Sequence, residues 1–356
     1  MELFLQNQSI ATLKVVGIGG AGLNAVNAML VAGLDGVEFI AVSTSQPRLR
    51  KSNAGIKIRI GADHRGFGTG GDPLVAKKAV QVSRQELTAC LGGADLVFLV
   101  AGLGSGTGTG ATPEIAKLAK EAGALVVAVV TKPFSREGKR RMEIAERGIQ
   151  ELLPLVDSLI VIPNDRLISM SGKGTSLLDA FKPADDLLRQ AIQGIVEIVS
   201  KHGHINVDFS DLRTVLGARG MAVMGIGISN APGRATEAAM VALHNPLLEG
   251  MDIQCAKGLL LNISGSSSMT MDEFDQVCKV VTEQLDNDVI IIVGMVVDEE
   301  LADQIKVTVI ATGINSPPPV KDSKTWLAKN KVILLAPGNN GRSLTNSLFD
   351  TGDDHD

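Results

Sequence analysis
The sequence predicts an α/β protein: a parallel sheet flanked by helices, joined by a long central helix to a second α/β domain. Three observations carry that expectation. Short apolar and β-branched runs alternate with helix-like segments from Leu13 to Ile162, the pattern of βαβ units. A later stretch repeats apolar residues at spacings of three and four, which is the signature of one long amphipathic helix. Several of the 39 glycines fall in turns that directly follow the apolar runs, where backbone approaches a ligand most closely.

The candidate strands of the first domain are Leu13–Ile18, Phe39–Val42, Leu96–Val100, Leu125–Val130 and Leu159–Ile162. Each is apolar at successive positions, as expected for strands covered on both faces. From Leu177 onward, Ala184, Leu187, Leu188, Ala191, Ile192, Ile195, Val196 and Val199 form the stripe of the central helix, with Pro183 expected near its first turn. After a loop from Gly203 to Ser210, further strands are expected at Ala222–Ile228, Gly258–Ile263, Val289–Val296 and Ile305–Ile310, with helices between them. Three consecutive prolines after Ser316 end the regular pattern, and a polar, flexible tail is expected beyond them. The expected boundaries are an extension at 1–11, a nucleotide domain at 12–176, the central helix at 177–202, a connection at 203–221, the second domain at 222–315 and the tail at 316–356.

Composition narrows the function classes. A chain of 356 residues with 45% hydrophobic content can bury two cores. Cys90, Cys255 and Cys278 lack any CxxC or Cys/His spacing, so neither a disulfide framework nor a protein-held metal is expected, and the compartment reads as reducing and cytoplasmic. A net charge of -5 without a long basic run argues against nucleic acid as a partner. With 3% aromatic residues and no Tyr, base-stacking platforms are disfavoured. No stretch approaches the length of a membrane span, and the first residues lack a basic segment followed by an apolar one, so no direct membrane insertion is expected.

The glycine-rich turns carry the chemistry. Gly17-Ile18-Gly19-Gly20-Ala21-Gly22 follows one strand and precedes the helix-like Asn24–Met29, so its amides and the helix N-terminus suit phosphate oxygens. The spacing satisfies GxGxxG, but a Rossmann dinucleotide site wants an acid at the end of the second strand to bind ribose. Val42-Ser43-Thr44-Ser45 stands there instead. More specific is Gly104-Ser105-Gly106-Thr107-Gly108-Thr109-Gly110, where alternate glycines clear side chains from one face of a loop and Thr107 and Thr109 add hydroxyl donors. No Gly-Lys-Ser/Thr follows, so this phosphate cradle is not a Walker A loop. A third turn, Gly66 to Pro73, offers Gly70 and Gly71 either as a cover over a terminal phosphate or as a bare surface loop. The expectation is a nucleoside triphosphate bound on a Rossmann-like sheet.

Taken together these segments resemble the tubulin/FtsZ superfamily, most closely its FtsZ branch, over roughly Thr12 to Ile314. Gly104 to Gly110 looks like the family's signature loop, with Ser105 in place of a usual glycine, and Gly20-Ala21-Gly22-Leu23-Asn24 looks like its first nucleotide loop. Thr131 to Arg141, including Pro133, is similar to the segment whose Glu and final Arg contact the ribose, which implies those roles for Glu137 and Arg141. The resemblance further implies that Asn24, Asn164, Phe181 and Asp185 surround the base, with Phe181 stacking and Asp185 accepting from the N1 and N2 hydrogens of guanine. Read alone, Asp185 is a helix N-terminal acid and Phe181 a core residue. A carboxylate facing that donor pair favours guanine over adenine.

Asn206-Val207-Asp208-Phe209-Ser210-Asp211 resembles the family's synergy loop, which reaches the GTP of the next subunit. The resemblance therefore implies a GTPase whose active site is completed at a head-to-tail contact, with Asp208 and Asp211 polarising the attacking water and Asn206 helping to position it. It implies GTP and GDP as ligands, Mg²⁺ held mainly by phosphates and water, K⁺ as a second cation, filaments of the chain itself, and a cytokinetic ring at midcell that meets division regulators or membrane tethers. Two departures stand out. Ser43-Thr44-Ser45 occupies the place of the family's Asn-Thr-Asp, and the tail carries no convincing copy of the usual recruitment peptide. They favour a second reading, a paralogue that binds GTP and assembles but hydrolyses it weakly.

Overall fold
Ten strands form one sheet in the computed structural model, which describes residues 11–61, 66–166, 177–200, 208–245, 247–248, 253–285 and 288–314. For 177–185 and Ser200 only the backbone is described. The expected extension and tail, apart from Ala11, lie outside the described residues, as does Asn206.

The first half follows from six short apolar segments. β1 (Leu13–Ile18), β2 (Val37–Ser43), β3 (Ile56–Arg59), β4 (Leu96–Gly102), β5 (Leu125–Lys132) and β6 (Ser158–Pro163) pair in parallel in the order β3-β2-β1-β4-β5-β6. The order of strand addition reverses between β1 and β4, and open α/β sheets bind ligands beyond the carboxyl ends of their strands at such a point. Alternate residues feed different cores. Val15, Phe98, Val100, Val127 and Val129 join a cluster with α1 (Gly19–Val31) and α7 (Leu177–Ser200). Val16, Ile18, Val97, Leu99 and Val126 point the other way, into α3 (Pro73–Val82), α4 (Arg84–Leu91), α5 (Gly106–Glu121) and α6 (Lys139–Leu152). Burial on both faces is why these strands read as unbroken apolar runs.

The second half continues the same sheet. β7 (Met221–Ser229), β8 (Gly258–Gly265), β9 (Ile290–Val297) and β10 (Ile305–Ile314) follow in the order β7-β10-β8-β9. β10 runs antiparallel to both its neighbours, while β8 and β9 are parallel. The halves meet through two residue pairs, Leu159 with Met221 and Ile160 with Ala222. That narrow seam is reinforced by α7, whose buried Leu188, Ala191, Ile192 and Ile195 share a cluster with Ile160 of β6, Leu260 of β8 and Ile310 of β10. Each such buried leucine or isoleucine contributes about 1.5–3 kcal/mol relative to exposure. α8 (Phe209–Leu216) adds Leu212, Val215 and Leu216 to that cluster. A separate core joins α9 (Arg234–Leu243) and α10 (Met271–Thr282) to this end of the sheet.

All nine expected strands are present. The tenth, β3, is four residues long, with Ile56 and Ile58 alternating with Lys57 and Arg59. A short, charged edge strand of this kind blunts sheet-to-sheet association. Because α7 begins at Leu177, Pro183 lies in its second turn, not its first.

Candidate active site
The cleft begins at the switch point. α1 starts one residue after β1, and α5 starts four residues after β4, so two helix N-termini converge on one opening. Neither helix has a side-chain cap or an acid in its first turn. Their leading amides are therefore left to a ligand or to water, and the aligned peptide dipoles favour an anion there.

Close packing aims both helices. A Cβ on Gly22 would meet the carbonyl oxygen of Val100 at 2.2 Å, and one on Gly108 would meet that of Gly102 at 2.2 Å. A Cβ on Gly110 would meet the carbonyl oxygen of Pro73 at 1.9 Å. These glycines, with Gly19, face protein and do not line the cleft. The segment expected as a phosphate loop is thus only partly loop: Gly104 and Ser105 are its turn, while Gly106, Gly108 and Gly110 lie inside α5. Thr109 also departs from expectation. Its hydroxyl is buried and accepts a hydrogen bond from the Gly104 N–H at 3.0 Å, so it fixes the turn from beneath. Gly104 needs this support because its φ is +87°, a left-handed conformation that costs a residue with a side chain roughly 1–2 kcal/mol.

The cleft has two connected lobes of about 530 and 450 Å³, which share Gly20, Arg48, Gly104, Ser105 and Arg141. In the larger lobe lie Ala21, Leu23, Asn24, Pro133, Glu137 and Asn164. Glu137 accepts from the Phe134 N–H at 2.9 Å and pairs with Arg141, which joins the short turn at Ser135–Glu137 to the start of α6. Asn164 is 7% exposed, and its Oδ1 is buried without a hydrogen-bond partner. A stranded amide acceptor costs about 1–3 kcal/mol, so this atom points to a donor brought by a ligand.

The smaller lobe holds Thr44, Ser45, Gly70, Gly71, Gly106 and Thr107. The Thr44 and Thr107 hydroxyls bond to each other at 2.8 Å, which ties the turn after β2 to the first turn of α5. The loop from Gly66 to Pro73 folds over this lobe. It is anchored by the Gln46 N–H donating to the Gly66 carbonyl and by Asp72, whose carboxylate accepts from the Leu74 N–H at 2.8 Å and caps α3.

Several lining residues were not anticipated. Asn27 and Leu188 belong to the larger lobe, Arg140 to the smaller, and Arg48 to both. Asn27 was readable, since it sits three residues after Asn24 on one helix face; Arg48 follows from no motif. Of the remaining expected residues, Phe181 and Asp185 lie on α7, with their side chains outside the described residues. Asp208 and Asp211 open α8; both are exposed, neither pairs with a cation among the described residues, and neither lines this cleft. Glu137 is the one carboxylate that lines it among the described residues.

Comparison with known proteins agrees with the architecture. The family model "Tubulin/FtsZ family, GTPase domain" matches residues 12–172, and "FtsZ family, C-terminal domain" matches 220–315. A solved structure of an FtsZ dimer, empty, from M. jannaschii is 40% identical, covers 86% of this chain and 89% of that chain, and superposes with a TM-score of 0.82. The GTPγS-bound protofilament of CetZ2 from Haloferax volcanii is 21% identical over 90% of this chain and 97% of that one, with a TM-score of 0.73, a likeness of fold. With both halves matched and that identity sustained across most of its length, the chain belongs to the FtsZ family of the tubulin/FtsZ superfamily.

Proposed function
We propose that the chain binds GTP in this cleft, hydrolyses it at contacts between subunits, and assembles head-to-tail into filaments that serve cytokinesis. The observation that carries the reading is the cleft itself: two uncapped helix N-termini at one end and the stranded Asn164 Oδ1 at the other. A ligand with an anionic tail and a polar, uncharged head satisfies both. In this reading the guanine lies among Asn24, Asn164, Phe181 and Asp185, the ribose lies by Glu137 and Arg141, and the phosphates meet Gly20, Ala21 and the turn from Gly104 to Thr107.

Mg²⁺ requires oxygen ligands in near-octahedral geometry. Around the phosphate lobe the described residues offer the hydroxyls of Thr44, Ser45 and Thr107 and no carboxylate, so the ion would be held mainly by the phosphates and water. When bound it would neutralise charge on the phosphates. The carboxylates of Asp208 and Asp211 are exposed, pair with no cation among the described residues and do not line this cleft, which supports a role toward a neighbouring subunit. The M. jannaschii relative is a dimer, which supports self-association. A contact of this heterologous kind does not close on itself, so filaments follow. Midcell localisation and contact with division regulators or membrane tethers belong to the same reading. No helix among the described residues is long and apolar enough to cross a membrane.

The test is phosphate release from GTP as a function of protein concentration, followed together with light scattering. Specific activity that rises with scattering above a threshold supports the shared site. Asp211→Ala should keep nucleotide affinity and lose turnover by about a hundredfold or more, the usual scale for a general base or a group that orients water. Equal loss of both would remove Asp211 from that role. Ser43 and Ser45 at the cleft's edge favour the second reading, assembly with weak hydrolysis, and scattering without phosphate release would select it.

A further inference from the structure
We propose that Arg48 is a phosphate-binding residue built into this chain, supplying fixed positive charge that lets nucleotide bind without a divalent cation. The inference rests on the nucleotide reading above. Arg48 lies on α2 (Gln46–Arg50), a short helix attached to α1. Leu49 is 3% exposed and packs in the same cluster as Leu23 and Val26. Asn27 of α1 completes the attachment: its Nδ2 donates to the Lys51 carbonyl at 3.2 Å, and its Oδ1 accepts from the Asn53 N–H at 2.8 Å. With Leu49 turned into the core, Arg48 is left facing the cleft.

Its guanidinium rests on the first turn of α1, where a Cβ added at Gly20 would overlap Nη1. A cation there opposes the positive end of a helix that has neither cap nor acid in its first turn. Among the described residues no carboxylate pairs with Arg48, whereas the neighbouring Arg141 is engaged by Glu137. An anion in the cleft resolves both positive ends at once. The guanidinium fork matches two phosphate oxygens, and Arg48 borders both lobes, which places it at the phosphates between sugar and tail. Ser43, Thr44 and Ser45, on the same side, bring hydroxyls and no charge.

The experiment titrates the full chain with a fluorescent GDP analogue, once with EDTA and once with excess Mg²⁺, for the unmodified protein, Arg48→Ala and Arg48→Lys. The unmodified protein should bind in EDTA. Arg48→Ala should bind about tenfold or more weakly there, the worth of one charge-assisted hydrogen bond, with a smaller loss in Mg²⁺, and Arg48→Lys should recover part of it. Unchanged or tighter binding by Arg48→Ala in EDTA overturns the proposal, the latter by marking Arg48 as a plug. Binding by the unmodified protein only in Mg²⁺ overturns it as well, while leaving the nucleotide reading standing. No binding in either condition removes the nucleotide reading itself. Because Arg48 is exposed, melting temperatures should be equal across the three proteins.

Discussion

Gly108→Ala sets two effects of opposite sign against each other. Alanine in place of glycine within a helix stabilises it by about 1 kcal/mol, and Gly108 lies inside α5. The new Cβ, however, would come to 2.2 Å from the Gly102 carbonyl oxygen and 3.2 Å from its carbon. That is more than ~1 Å short of a comfortable contact, and the obstacle is backbone, which cannot rotate away. Overpacking of this kind costs about 1–3 kcal/mol, so the clash wins and α5 moves off β4. The movement opens the cleft at its most sensitive place, because Gly102, Gly104 and Ser105 line it. A shift near 1 Å in a positioning element costs on the order of a hundredfold in function. The assay is fluorescent-nucleotide affinity beside thermal melting, with Gly123→Ala as the control. Gly123 follows the other end of α5, has φ +86° and open space around its would-be Cβ, so it should lose about 1–2 kcal/mol of stability and no affinity. Gly108→Ala with the stability and affinity of the unmodified protein would refute the account of why glycine stands there.

Two further expectations concern the turn and the second half. Thr109→Val keeps the shape but strands the Gly104 N–H, which should lower melting stability by about 1–3 kcal/mol and loosen nucleotide binding through the turn; an unchanged melting profile would contradict the supporting role. In the second half, the Arg234 guanidinium holds the Glu273 carboxyl at about 2, against an ordinary 4.5, with help from the Thr270 N–H. A depressed carboxylate contributes stability that is fully present above 4.5 and is lost as pH falls through 2. After discounting for partial solvent exposure, the contribution is about 1–2 kcal/mol. Urea unfolding between pH 6 and pH 2.5 should therefore be steeper in pH for the unmodified protein than for Arg234→Met, and equal pH slopes would sink the assignment.

Much of this was legible because local signals and burial agree. The runs at Val15-Val16 and Val97 to Val100 had to be strands, since helices cover both faces and leave no polar side to signal amphipathicity. The stripe from Leu187 to Ile195 announced α7 because that helix buries one broad face against both halves of the sheet. What escaped was non-local. Nothing near Ile305 tells it to insert antiparallel between β7 and β8, because register and strand order are decided by the partners it meets. The glycines of the signature segment were misread as loop for a related reason: glycine usually weakens helices, and only the approach of Gly102 and Pro73 makes small residues necessary at 108 and 110. Arg48 escaped because no motif contains it; its placement depends on Leu49 and Asn27 anchoring a five-residue helix.

The strand order of the first half is shared with dinucleotide folds, so topology alone does not separate a hydride-transfer site from a nucleotide-triphosphate site. The cleft does. In the dinucleotide arrangement an acid at the end of β2 binds a ribose, which puts a sugar on that side of the switch point. Here the end of β2 presents Ser43, Thr44 and Ser45, with Thr44 bonded across to Thr107 and Arg48 just beyond. Glycine amides, hydroxyls and guanidinium groups therefore gather on the side where a ribose acid would be required. The uncharged acceptor of Asn164 and the apolar Leu188 lie toward β6 and α7. Groups suited to an anion thus cluster toward β2, while the uncharged Asn164 and Leu188 lie toward β6, which is the gradient the proposed nucleotide reading calls for. One nucleoside with a chain of phosphates matches that gradient, whereas a ligand with nucleosides at both ends would bury a sugar against Arg48 and leave the second helix N-terminus without an anion.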